Sequence, residues 1–213
     1  MGRRPRQLMI AETRTKLIEA ARAAFGTVGY AETSMDDLTA SAGLTRGALY
    51  HHFGDKKGLL AAVIAEIDAE MNERLNAVSA RAADPWTGFR DECAAYVEMA
   101  LEPEIQRIVL RDGPAVLGDP WTWPTQSACI SSMTDSLGKL RDAGVILPID
   151  PEAAARLIAG ATLHAAQWIA HAADGRAASE KAIAAFDALL EGLLVRPDAA
   201  RERNKRTHFD LLN

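Results

Sequence analysis

Little in this sequence is suited to covalent chemistry or metal binding. Cysteine occurs twice, at Cys93 and Cys129, on segments that read as different helices and at no zinc-binding spacing. Gly-x-Ser-x-Gly elbows, P-loops, Rossmann glycine fingerprints and His-Glu-x-x-His pairs are all missing, which leaves no catalytic residue to name. No apolar run approaches the roughly 18 residues of a membrane span. The opening stretch MGRRPRQLMIAETR lacks the apolar segment of a secretion signal. Two thiols without an export signal suggest a cytoplasmic chain with reduced cysteines. Val, Ile and aromatics are modest beside abundant alanine, so helices are favoured over strands.

Positive charge is also scarce overall, with a formal net charge of −5, but it is unevenly spread. Residues 1–58 hold nine Lys or Arg against six Asp or Glu, whereas the remainder holds fifteen against twenty-three. A basic end on an acidic body suits a protein that touches nucleic acid at one end only. The length of 213 residues allows one large domain or two small ones.

What is present is concentrated in residues 34–56, SMDDLTASAGLTRGALYHHFGDK. Ser34 and Asp37 form a capping box for a first short helix, and Leu38 and Ala42 share one of its faces. Gly43 supplies a turn, and Thr45 caps a second helix with Leu49 inward and Arg46, Ala48, Tyr50 and His51 outward. A short helix with hydroxyl, small, basic and aromatic tips is shaped for a DNA major groove.

Around this unit the pattern is helical throughout. A helix over about 11–28 carries Leu17, Ala21, Ala24, Phe25 and Val28 on one stripe, behind an N-terminal arm of residues 1–10. Asp55 caps a long helix over about 56–82. Ala83-Asp84-Pro85 opens the next, and a short helix near 103–112 reaches Asp112-Gly113-Pro114. A loop with Gly118, Pro120 and Pro124 follows, then a helix through Ile130, Met133, Leu137 and Leu140 that stops near Ala143-Gly144. Asp150-Pro151 starts a helix over 151–173 that Gly175 terminates. The last spans about 178–195. The boundaries are therefore 1–55 for the arm and helix-turn-helix, 56–82 for a linking helix, 83–196 for a helical body, and 197–213 for a charged tail. That tail is disordered or docks through Phe209, Leu211 and Leu212.

The final two helices are apolar nearly all round, so each needs cover on two sides. Either a second copy supplies it, as a homodimer through a four-helix bundle, or the monomer's own core does.

The run Phe25-x-x-x-Gly29-Tyr30, then Thr33-Ser34-Met35-x-x-Leu38-x-x-x-Ala42-Gly43-Leu44-Thr45-Arg46-Gly47-x-Leu49-Tyr50-x-His52-Phe53-x-x-Lys56-x-x-Leu59, resembles the DNA-binding domain of the tetracycline-repressor (TetR) family. The motif similarity covers about residues 11–62, with Thr39 standing where the family usually has alanine. The resemblance implies an all-α protein of about nine helices: three in a DNA-binding head, a fourth joining it to a ligand-binding body, and two that dimerise. It further implies a regulator, usually a repressor, that leaves a double-stranded DNA operator when a small-molecule effector binds.

By analogy with the family, Arg46 reads base edges or holds a phosphate, and Ala48 meets a thymine methyl. Ser34, Thr45, Gly47, Tyr50 and His51 belong to the same interface, with His52 and Lys56 as phosphate clamps. Arg3, Arg4 and Arg6 reach a minor groove or stay solvated. Adjacent histidines on a helix splay about 100° apart and lack a third ligand, so no metal and no cofactor is expected. Candidate pocket residues are Phe89, Tyr96, Met99, Trp121, Trp123, Met133, His164, Gln167, Trp168 and His171, each of which could equally be plain core. The scarcity of basic residues there argues against an anionic effector and for an apolar or aromatic one. Two alternatives remain: a constitutive DNA-binding regulator without a ligand, and an all-helical enzyme, for which only Cys93 with His164 offers a nucleophile and base.

Overall fold

The computed structural model describes residues 6–195, Arg6 through its backbone only. Arg3, Arg4 and the tail 197–213 lie outside the described residues. The rest folds as α1 (Arg6–Thr27), α2 (Met35–Ser41), α3 (Arg46–Phe53), α4 (Lys56–Ser79), α5 (Pro85–Met99), α6 (Gly113–Leu117), α7 (Pro124–Asp142), α8 (Pro151–His171) and α9 (Gly175–Glu191). A π-helical segment, Ile105–Asp112, leads into α6, and a 3₁₀ turn, Pro120–Thr122, precedes α7. The all-helical expectation holds.

Short polar side chains set most of the starts. The Ser34 hydroxyl accepts the Asp37 N–H at 3.0 Å and donates to that residue's carboxylate at 2.6 Å. Thr45 accepts from Ala48 and Asp55 from Gly58, at 3.2 and 2.7 Å. Asp84, Asp150 and Asp174 cap α5, α8 and α9 in the same way. Each such cap is worth about 1 kcal/mol.

Leu17, Ala21, Phe25, Leu38 and Leu49 are buried where the first three helices meet, and Leu59, Leu60 and Val63 of α4 close that core. The same cluster runs on along α4 through Ile64, Ile67 and Met71 into the body, so head and body share one core. Phe89, Cys93, Ile130, Leu137, Ile158 and Phe186 make a second cluster at the far end. Thr39 is buried and satisfied, its hydroxyl donating to the Met35 carbonyl at 3.0 Å.

Several boundaries differ from those expected. Helix α1 reaches back to Arg6, through residues read as an arm. Val28 is exposed because the helix ends at Thr27, just before the expected last position of the buried stripe. The chain does not leave helix at Gly113-Pro114: Pro114 falls in the first turn of α6, where its missing N–H costs nothing. Gly175 opens α9 rather than ending α8, because Asp174 accepts the Ala177 N–H at 2.9 Å. Helix α9 stops at Glu191, and the next residues pair with the loop before α8. There Leu147 donates to the Leu193 carbonyl at 2.8 Å and Val195 to that of Val145 at 3.1 Å.

The joint between head and body is polar. Arg107 donates to the Thr27 and Val28 carbonyls at 2.7 and 2.5 Å, covering the open C-terminus of α1. The Tyr30 N–H donates to the Asp112 carboxylate at 2.9 Å. Arg22 forks between Glu70 on α4 and Glu104, at 2.6 and 2.7 Å. On the other side Arg111 donates to the Ala170 carbonyl of α8 at 3.0 Å through Nε.

Gly29 sits inside this joint at φ +95°, and a Cβ there would stand 2.6 Å from Arg107 Nη2. Gly29→Ala therefore meets both backbone strain and a clash. It should cost about 1–3 kcal/mol in a guanidinium melt; an unchanged midpoint would contradict this account of the joint.

Candidate nucleic-acid interface and body cavity

Helix α3 presents two faces. Leu49 is fully buried and Phe53 half-buried, with the Arg14 guanidinium 5.6 Å from the Phe53 ring centre. Thr45, Arg46, Gly47, Tyr50 and His51 are exposed together, while Ala48 and His52 are half-buried. A Cβ on Gly47 would meet nothing closer than the Thr45 hydroxyl at 3.8 Å. The interior does not require glycine there, so its bareness serves the outer face.

Two cations of this surface are already engaged. Arg46 Nε lies 2.9 Å from an Asp36 carboxylate oxygen, with both side chains exposed. Such an exposed pair is worth under about 1 kcal/mol. It holds Arg46 loosely and yields to a stronger anion. Lys56 Nζ sits 4.3 Å from the Tyr30 ring centre and donates to the Ala31 carbonyl at 3.4 Å. Burial there lowers the Lys56 pKa, against the pull of Glu32 and Asp112. Lys56 is thus tied to the turn after α1 as well as standing at the start of α4. Ser34 is exposed but spends its hydroxyl on Asp37. His51 and His52 lie edge to face with ring centres 5.5 Å apart. Among the described residues no group of three or more His, Cys, Asp or Glu is gathered as a metal site would need.

The body holds a cavity of ≈ 270 Å³ between α4, α5, α7 and α8. Phe89, Tyr96 and Met133 give it apolar walls, Asn72 and Gln126 supply amides, and Glu92 and both cysteines face it. Burial raises the pKa of both thiols, so they stay protonated. A smaller chamber of ≈ 30 Å³ adjoins it, sharing Tyr96 and Gln126 and reaching Asp68, Leu110, Trp123 and Gln167. Burial also raises the pKa of Tyr96, of Glu92 and of Asp68; hydrogen bonds from Ser79 to Glu92 and from Thr125 to Asp68 act in the opposite sense. The Trp123 indole N–H is buried and has no hydrogen-bond partner among the described residues.

Two family models match this chain. Residues 17–63 match that of the bacterial regulatory proteins of the tetR family, and residues 86–193 that of the tetracyclin repressor-like C-terminal domain. A crystal structure of a TetR-family transcriptional regulator from Pectobacterium atrosepticum is 57% identical, with a TM-score of 0.83, covering 91% of this chain and all of that one. The chain belongs to the TetR family.

Curated relatives match through the head. The transcriptional regulator TtgR of Pseudomonas putida is 47% identical over 53 residues, 25% of this chain and 25% of its own. The repressor AcnR of Corynebacterium glutamicum is 39% identical over 61 residues, 29% of this chain and 32% of its own. This TetR-family chain therefore spans between a quarter and a third of those relatives' length.

The ten residues proposed from sequence as a pocket separate into groups. Phe89, Tyr96 and Met133 line the larger cavity, and Trp123 and Gln167, again with Tyr96, the smaller chamber. Met99 is buried in the shared core. Trp121 is exposed and lies over Gly160 of α8, where a Cβ would stand 3.6 Å from its ring. His164, Trp168 and His171 share the exposed face of α8 and line neither space. Their spacing marked one face correctly, but periodicity does not say which side of a helix looks inward. Cys93 and His164 are accordingly apart, one in the cavity and one on the outer face. The sequence reading missed Asp68 and Glu92, each one position off an apolar seam, where a charged residue passes for surface.

These acids carry a pH signature. Because burial raises the folded-state pKa of Asp68 and Glu92, the native state holds more protons than the unfolded chain once pH passes the ordinary carboxylate range of about 4. Stability then falls as pH rises through the window up to the raised values. The double variant Asp68→Asn, Glu92→Gln should escape that fall, so its stability relative to wild type should increase as pH rises above about 4. A difference that stays flat across the window, in urea melts, would refute it.

Proposed function

We propose that this protein is a homodimeric transcriptional repressor that binds a palindromic DNA operator through α3 and leaves it when a small, apolar or aromatic effector enters the body cavity. The observation that carries the DNA-binding half is the exposed row Thr45, Arg46, Gly47, Tyr50 and His51 on a helix pinned from behind by Leu49. In that reading Arg46 exchanges Asp36 for a guanine edge or a phosphate. Gly47 lets the backbone close on the duplex, and Ala48 reaches a thymine methyl. His52 and Lys56 clamp phosphate together with Ser34; Arg3, Arg4 and Arg6, whose side chains lie outside the described residues, are assigned to the minor groove in the same reading.

The dimer reading rests on an apolar face that the described residues leave uncovered. Leu157 of α8 is 76% exposed, Leu189 of α9 69% and Trp168 47%. Between them lie Ala161, Ala185 and Ala188, small enough for close helix approach. A patch of this kind on neighbouring helices marks an interface. A second copy places two recognition helices on one side of a duplex, as a two-fold operator needs. The effector reading rests on the cavity. The alternative of a constitutive regulator has no use for a cavity lined by both apolar and polar side chains.

Arg46→Ala should weaken operator binding by about 1–3 kcal/mol and relax sequence preference at one position per half-site. Gly47→Ala should leave the protein as stable or stabilise it by up to about 1 kcal/mol while lowering operator affinity. Fluorescence anisotropy on a selected operator, beside thermal melts, reads both. Full affinity in both variants would remove α3 from the interface. Separately, Leu157→Glu with Leu189→Glu should turn a dimer into a monomer in light scattering, and a monomeric wild type at micromolar concentration would end the dimer reading.

A further inference from the structure

The two chambers of the body cavity are charged in one sense only. Among the described residues, Glu92 is the one charged side chain lining the larger space and Asp68 the one lining the smaller; no Lys, Arg or His joins them. The groups that pull the pKa of these acids back down are neutral hydroxyls, Ser79 for Glu92 and Thr125 for Asp68. The nearby basic side chains are committed elsewhere: Arg90 lies 3.0 Å from Asp91, Arg74 pairs with Glu102, and Arg111 holds the Ala170 carbonyl. Tyr96 and Gln126 line both spaces, so the two acids stand on either side of one shared wall. A carboxylate withdrawn from water without a cation is costly. Asp68 and Glu92 are both half-buried, and burial raises the pKa of each.

The walls fit a positive charge in a second way. Tyr96 lines both spaces, Phe89 the larger and Trp123 the smaller, and aromatic faces attract cations. The buried indole N–H of Trp123 has no partner among the described residues, so the smaller chamber is not closed by its own hydrogen bonds. Trp123 is accommodated there because Gly113 has no side chain; a Cβ would come within 2.7 Å of its ring.

Resting on the effector reading above, we infer that the cavity selects an organic cation: a protonated amine on a small aromatic body, whose ammonium group pairs with Glu92 or Asp68 and which carries an acceptor oxygen for the Trp123 N–H. Anionic ligands such as carboxylates and phosphates are rejected by the same two acids. Neutral ligands bind only by taking the acids in their protonated form, which forgoes the ion pair.

Three probes sharing a methoxynaphthalene body and ending in an aminomethyl, a hydroxymethyl or a carboxylate group separate these cases. Calorimetry on the full-length protein near neutral pH should place the amine at least about tenfold tighter than the alcohol, the step expected of one charge-assisted hydrogen bond, with the carboxylate weakest. In Asp68→Asn, Glu92→Gln the amine should lose its advantage while the alcohol still binds. The wild-type ranking is a test that does not depend on that variant folding. A carboxylate as tight as the amine, an amine preference that survives the double substitution, or no binding by any probe at millimolar concentration would each overturn the inference. Operator release is read separately by anisotropy. An amine that binds with the stated preference yet leaves DNA binding unchanged sinks the effector reading and leaves the charge selection standing.

Discussion

The end of helix α1 cannot satisfy itself. A helix leaves its last carbonyls without partners, and here the Gly29 N–H folds back to the Ala24 carbonyl while those of Thr27 and Val28 need another donor. Arg107 supplies the missing donors to Thr27 and Val28 from a segment some eighty residues away. Asp112, from the same segment, takes the Tyr30 N–H that opens the next turn. The orientation of the head is thus written into side chains of the body, and the head cannot tilt without exposing carbonyls or stranding a guanidinium. Arg22, forked between Glu70 and Glu104, adds a second tie of the same kind.

The segment that holds the head is also a wall of the smaller chamber. Val109 and Leu110 line it, while Arg111 reaches the last turn of α8. Eight consecutive residues therefore touch α1, the chamber and α8. A π-helical stretch has looser geometry than an α-helix and marks functional positions more often than chance would place it. Under the proposed reading, an occupant that pushes on Val109 or Leu110 shifts Arg107 and Asp112 with them. Ligand and operator then compete for one segment's position, and the coupling acts equally in both directions.

What the sequence made legible follows from how local each cause is. Ser34, Thr45, Asp55 and Asp150 were readable as caps because a cap is a contact across three residues. The outward row of α3 was readable because Leu49 fixes its phase. Asp174 escaped because Gly175 beside it looked like a stop, and Pro114 because proline is tolerated in a first turn as readily as it ends a helix. Arg107 was beyond reach: its partners are backbone carbonyls, which leave no trace in residue identity. The same holds for Asp68 and Glu92, since an acid beside an apolar seam reads as solvated unless the opposing helix is known.

Helix α8 shows why composition alone overstated one role. Its lack of a polar face suggested a partner subunit, yet much of that apolar surface serves the monomer: Ala159 and Thr162 line the cavity, and Ala155, Ile158 and Ala166 are buried in its cores. What remains uncovered is a narrower strip, Leu157, Ala161, His164 and Trp168, with Trp121 lying beside it over Gly160. The helix is one rigid wall between the cavity and the uncovered strip. Because Gly160 and Ala161 follow directly on Ala159, little side-chain bulk separates the two sides. A shift of α8 that widens the cavity must move the strip as well, so a second copy packed there would resist or favour an occupant according to which spacing it fits. Close-packed interiors transmit such shifts rather than absorb them.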